Sequence, residues 1–153
     1  MSEVVQKPAS YLVDMELFNR LEVRLLDVGG AVRPRGVDFD QLPTTHRFTP
    51  GLYIREITMP TGTVLVTEHH ITEHPFVVSK GYCSVYNPLV AEWVHLKAPH
   101  TGITKPGTKR FLIVHEETIW TTFHPTDETD VETIENTIFA PRCNPLLCEE
   151  GEK

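Results

Sequence analysis

The chain has little positive charge: 14 Lys and Arg stand against 21 Asp and Glu, for a formal net charge of −7. Beyond Arg33 and Arg35 there is no basic cluster. A surface that tracks nucleic-acid phosphates needs the opposite balance, so no nucleic-acid partner is expected. No apolar run approaches the length of a membrane span, and no membrane partner is expected either. The opening MSEVVQKPAS lacks the basic-then-apolar order of a signal peptide, which gives the expectation of a cytoplasmic protein. Cysteine is scarce. Cys83 sits in a strand-like run, while Cys143 and Cys148 lie in a tail containing Pro and Glu. Three thiols at these spacings make neither a disulfide framework nor a zinc knuckle, so reduced thiols are expected. Also missing are a phosphate-cradling glycine loop, a dinucleotide fingerprint and a Gly-x-Ser-x-Gly elbow. Cys83 has no local histidine partner to make it a nucleophile.

What is present reads as one domain with a real core: 153 residues, 40% hydrophobic and 23% charged. Within residues 10–30, Leu12, Met15, Phe18, Leu21, Leu25 and Val28 follow the three-to-four spacing of an amphipathic helix. Ser10 is the expected N-cap, and Gly29 and Gly30 the left-handed stop. Residues 30–50 read as an irregular crossing loop rich in Pro, Gly and Arg, and His46 there reads as a solvated or hydrogen-bonded side chain. From Leu52 the pattern changes. LYIREITM, TVLVTEH, PFVVS, YCSVY, EWVHL, RFLIVH and TIWTTFH are short and rich in β-branched and aromatic residues. Pro60-Thr61-Gly62, Lys80-Gly81 and Asn87-Pro88 supply turns, and the residues from His115 to Thr118 read as a hairpin tip. Seven strands with no helix between them predict an antiparallel barrel or sandwich. A second helix is expected from about Asp130 to Phe139, with Val131, Ile134 and Ile138 on its buried face and Pro141 as its stop. The organisation expected is an N-terminal helix and loop over 1–47, a barrel over 48–126, and a helix and tail over 127–153, all one domain.

Three of the eight histidines lie between Glu68 and His74. Alternate residues of a strand share a face, so Glu68, His70 and His74 face one way if the segment is extended, and His69 the other. Imidazoles and a carboxylate converging from one strand are a plausible set of ligands for a divalent metal. His95 reads as a surface or edge residue. Trp120, Thr122 and His124 share a strand face, which makes His124 a candidate pocket residue, at the rim if Trp120 packs the core. Tyr53 and Tyr82 are candidate pocket phenols.

Gly62, five residues, Glu68, one residue, His70, three residues, His74, six residues, Gly81: this spacing resembles the first motif of the cupin superfamily. The chelating residues of that motif usually run His, His, Glu; here the order is permuted to Glu, His, His. The resemblance covers roughly residues 51–124 and implies a mainly β, antiparallel jelly-roll barrel. It also implies a further histidine ligand from a later strand, for which His100 in APHTG is the candidate, although the proline and glycine order of the second motif is not reproduced. More narrowly, FTPGLYIREITMP, TEHPFVVSKG, APHTGITKPGTKR and HEETIWTTFHPTDETD resemble a set of small cupin-like proteins of bacteriophages and prophages. That likeness implies a setting in the bacterial host cell. It also implies sharing of the His70, Glu73, His74 and His100 positions, with Glu68 the weaker ligand. Glu73 faces away from the ligands in a regular strand, and a bend after His70 would let it orient one of them.

Two functions follow as expectations. In the first, His70, His74 and His100 hold zinc, iron, manganese or nickel with a position open to a small molecule. Isomerases, dioxygenases and lyases all use such a fold, so the reaction, and whether there is one, stays open. In the second, the chain is a non-catalytic jelly-roll interaction module in phage assembly or regulation. A homodimer through helix and edge strand is expected on either view.

Overall fold

A computed structural model describes residues 9–25, 31–32, 42–87, 91–141 and 146. The chain runs through helix α1 (Ala9–Leu25) and strands β1 (Ala31–Val32), β2 (Thr44–Thr49), β3 (Leu52–Met59) and β4 (Val64–Val66). It continues with β5 (His74–Asn87), β6 (Glu92–Lys97), β7 (His100–Thr104), β8 (Phe111–Pro125) and helix α2 (Val131–Ile138). The fold is a mainly antiparallel eight-stranded sheet with two helices; β1 beside β4 is its parallel pair.

The sheet is organised around β5 and β8, which pair with each other from Phe76 opposite Thr122 to Tyr86 opposite Phe111. At one end of this ribbon β8 pairs with β3, which pairs with β2, while β5 pairs with β7. At the other end β8 pairs with β4 and β5 with β6. Two half-sheets therefore share two long strands. Among the described residues no ladder joins the outer strands, so the sheet is open where a closed barrel was expected.

Two expected turns are not turns. Lys80-Gly81 and the segment from His115 to Thr118 lie opposite each other inside β5 and β8, where the register shifts between Val78 and Cys83. Phe76 and Val78 are buried before the irregularity, Cys83 and Val85 after it, so the parity of the inward face changes. An added residue is what changes it, and Gly81 at φ 96° supplies the bend. A Cβ there would lie 2.2 Å from the carbonyl oxygen of Glu117. The punctuation was real, but it marks a bulge. The crossing loop is likewise corrected: Thr44–Thr49 forms a full ladder with Leu52–Met59, turning at Pro50-Gly51. Its side chains are mostly exposed, which removes the apolar alternation that identifies a strand. This strand also begins ahead of residue 48.

Helix α1 starts at Ala9, so Ser10 is a helical residue and lacks the non-helical backbone of a cap. Phe18 and Leu25 are buried against Val66, with Leu21, Val64, Tyr86 and Phe111 around them, on the outer face of the β4 and β8 half-sheet. The side chains of Leu12 and Met15, together with Val28, Gly29, Gly30, Arg33, Arg35, Pro88, Cys143 and Cys148, lie outside the described residues. Cys83 is a buried free thiol. Helix α2 is capped by Asp130, whose carboxylate accepts from the Thr133 N–H at 3.0 Å. It ends at Ile138, ahead of Pro141, and buries Ile134 and Ile138 against Tyr53.

The main core lies on the inner face: Met59, Leu65, Phe76, Val78, Cys83, Val85, Leu96, Leu112, Val114 and Trp120. Its open end is the candidate site.

Candidate functional site

The connection between β4 and β5 is not a strand. Thr67 and His70 stay hydrogen-bonded to Arg110 and Thr108, and the segment then passes the end of α2, where the Ile71 N–H donates to Ile138 O and the Ala140 N–H to His69 O. His70 thus sits between two neighbouring chains, bridged to Thr108 and to Phe139. Strand alternation does not bring Glu68, His70 and His74 together, as had been expected; loop path and cross-chain pairing do. All three line one cavity, with His124 reaching it from the far end of β8.

The cavity has a volume of about 70 Å³. At about 10–15 Å³ per water this is room for roughly five. Its walls are largely apolar, including Ile57, Met59, Leu65, Leu112, Trp120 and Phe139. The polar groups converge at one side. The ring centroids of His70 and His74 are 5.1 Å apart, and those of His74 and His124 4.3 Å.

Each of these rings has a buried nitrogen with no hydrogen-bond partner: His70 Nδ1, His74 Nε2 and His124 Nδ1. His74 Nδ1 lies 3.1 Å from Thr72 O, so it carries the proton and leaves Nε2 with a free lone pair. His124 Nε2 is 2.8 Å from Thr122 Oγ1. Burial lowers the pKa of all three. His70 falls well below the usual imidazole value, with His74, Arg110, His124 and Arg55 adding to the effect of burial. His74 is lowered by burial and by Arg110, against the Thr72 bond. His124 falls to about 3, by burial, then His74 and Arg55. The cluster is neutral at neutral pH, the state in which imidazole binds metals.

Two arginines line the cavity as well. Arg55 Nη1 is 3.1 Å from Glu135 Oε1. Arg110 donates from Nη2 to Thr104 Oγ1 at 3.1 Å, and its guanidinium carbon stands 5.4 Å from the Phe76 ring centroid and 5.7 Å from that of Trp120. Burial lowers its pKa to about 10.

The remaining expected site residues lie elsewhere. His100 opens β7, opposite Val78, with its ring 5.9 Å from Phe76 and outside the cavity lining. It does not join His70 and His74. The reason is register: β7 pairs with the β5 half that carries Phe76, and Phe76 occupies the inward space. Glu73 is exposed and forms an ion pair with Lys105, outside the cavity. Tyr53 is fully buried beside the site, stacked on His46, Phe48 and His124 at 5.9, 5.3 and 5.7 Å. Burial raises its pKa, so its phenol donates to His46 Nδ1, 2.5 Å away; His46 is lowered, first by burial and then by Arg55. Tyr82 is on the outer face of β5, 4.9 Å from His115, near a cross-strand group in which Ser84 Oγ lies 2.8 Å from His95 Nδ1 and 2.6 Å from His115 Nε2.

Neutral imidazoles with unpartnered nitrogens suit a transition metal chemically. As they stand, no three His, Cys, Asp or Glu side chains among the described residues are arranged to hold one.

No protein-family profile matches this sequence, and no curated protein matches it. Solved structures similar to it include a cupin-2 domain protein from Shewanella frigidimarina, 14% identical over 55% of this chain and 80% of its own, TM-score 0.45. A cupin domain from Schizosaccharomyces pombe is 22% identical over 63% of this chain and 69% of its own, TM-score 0.46. A cupin domain from Bordetella pertussis is 13% identical over 56% of this chain and 93% of its own, TM-score 0.43.

Proposed function

We propose that the chain is a cupin-type jelly-roll domain whose cavity binds a small molecule, and that His70, His74 and His124 hold a divalent zinc, iron, manganese or nickel ion there. What supports this is that three histidines lining one cavity each carry a buried imidazole nitrogen with no hydrogen-bond partner, and that burial keeps all three neutral at neutral pH. Among the described residues these donors are not arranged to hold an ion as they stand, so the rings must reorient to bring them onto one. His124 takes the place that the spacing resemblance gives to His100. A bound ion supplies Lewis acidity toward an oxygen-bearing ligand. This chain's residues hold the donors: Thr72 O fixes the His74 tautomer, and Thr122 and Tyr53 steady His124. The phage setting, and with it a cytoplasmic place in the bacterial host, rests on the string resemblance.

Elemental analysis of protein purified without chelators tests the reading. One ion per chain is expected in the wild type and in His100→Ala, and none in a His70→Ala, His74→Ala double variant. Equal and negligible metal in wild type and double variant rejects it.

A second reading, an interaction module, is favoured by the apolar edge. Among the described residues strand β6 pairs on one side only and exposes Trp93 and Val94, and α1 exposes Leu17. An uncovered edge of this kind fits a second copy of the chain. Sedimentation is expected to give a dimer, and a monomer for Val94→Lys. A wild-type monomer removes this reading without touching the cavity.

A further inference from the structure

We propose that Arg110 is the anion seat of the cavity and that the ligand is a short-chain monocarboxylate, its carboxylate on the Arg110 guanidinium and its hydrocarbon end against Ile57, Met59, Leu65 and Leu112. The inference rests on the cavity being a small-molecule site and is independent of the metal.

Arg110 is 8% exposed, yet among the described residues its only polar side-chain contact is the single bond to Thr104 Oγ1. Among the described residues no ion pair to Arg110 is present, and burial alone accounts for its lowered pKa. A guanidinium offers five N–H donors in a planar fork. A buried cation left this way is costly unless something in the cavity completes it. The faces of Phe76 and Trp120 compensate part of the charge but accept none of the in-plane N–H groups.

Charge sets the class of ligand. Arg55 is already matched by Glu135, whereas among the described residues Arg110 touches only the neutral Thr104 hydroxyl with its polar atoms, so its single positive charge has no counter-ion in contact. A monoanion balances it; a phosphate dianion does not. Size and wall chemistry set the rest. Space for roughly five waters, walled by aliphatic side chains, suits a carboxylate with a tail of a few carbons.

The test is an NMR titration of the full-length chain in EDTA, following the Trp120 indole N–H. Sodium butyrate is the probe, with butyramide as its neutral counterpart and inorganic phosphate as the competing anion. Butyrate is expected to bind saturably, and at least about tenfold more tightly than butyramide or phosphate. Arg110→Met is expected to lose about tenfold or more in butyrate affinity. Should that variant not fold, Arg110→Lys keeps the charge without the fork and is expected to lose about tenfold. No saturable butyrate shift in the wild type, equal binding of butyramide, tighter binding of phosphate, or unchanged affinity in the variant each overturns the proposal. Zinc uptake by the same protein after removal of EDTA reports separately on the histidine cluster, so failure of one reading is not mistaken for failure of the other.

Discussion

At the scale of the residue, the site is a place where polar chemistry has been put on apolar positions. Arg55 alternates with Tyr53, Ile57 and Met59 along β3, and Arg110 precedes Leu112 and Val114 by two and four residues. Period two alone puts both guanidiniums inward. The signal is therefore in the sequence. Histidine titration has a direction that can be measured. In the metal-free chain His70, His74 and His124 all titrate below the unfolded value of 6.5, His70 and His124 well below it. Between there and about pH 3, where His124 itself titrates, the unfolded state holds more protons. Stability is then fully present above the unfolded pKa and is lost as pH falls toward the folded ones. Urea unfolding at stepped pH should give a slope of up to about 1.4 kcal/mol per pH unit for each histidine. A flat profile from pH 7 to 4 contradicts their neutral burial. Arg110→Met makes the complementary prediction. Removing an uncompensated buried cation should leave stability unchanged or raise it, by about 1 kcal/mol or more. A large loss in the urea midpoint would show that Arg110 holds the core together.

At the scale of the element, local chemistry was legible wherever one side of an element faces the core. Strand β3 and helix α2 were readable because alternation, or a three-to-four spacing, survives in them. Strand β2 was not, since it lies at the edge with five of its six side chains exposed. The long strands β5 and β8 were each read as two, because a bulge and a turn use the same residues. Gly81 decides between these meanings only when its partner is known. Its positive φ suits either, but the 2.2 Å approach to Glu117 O belongs to a strand packed against another strand. Gly81→Ala should therefore cost more than a turn glycine would, about 2–4 kcal/mol against about 1, read from denaturant midpoints. A loss of under about 1 kcal/mol would mean that the bulge relaxes freely. His100 lies outside the cavity lining for a similar reason. Spacing along the chain locates a later strand, but the register of β7 on β5 decides which of its side chains reach the cavity, and register is a property of the pair.

At the scale of the whole molecule, the cavity draws on residues from Leu42 to Phe139. That span is why its membership was only partly visible: His70 and His74 are near in sequence, but Arg55, His124 and Phe139 arrive by topology. The shared ribbon makes a prediction of its own. Every other strand but β1 and β2 hangs directly on β5 or β8, so native-state hydrogen exchange should be slowest at Phe76, Val78, Val85, Leu112, Val114 and Trp120. The two half-sheets should exchange as one cooperative unit. Faster exchange of one half, with the other still protected, would show two independent lobes. Because both halves are threaded by the same two uninterrupted strands, the molecule has no seam along which it could be divided. Neither half survives as a separate piece, and a polypeptide split at Gly81 could regain its shape only by reassembly of both fragments along their full length.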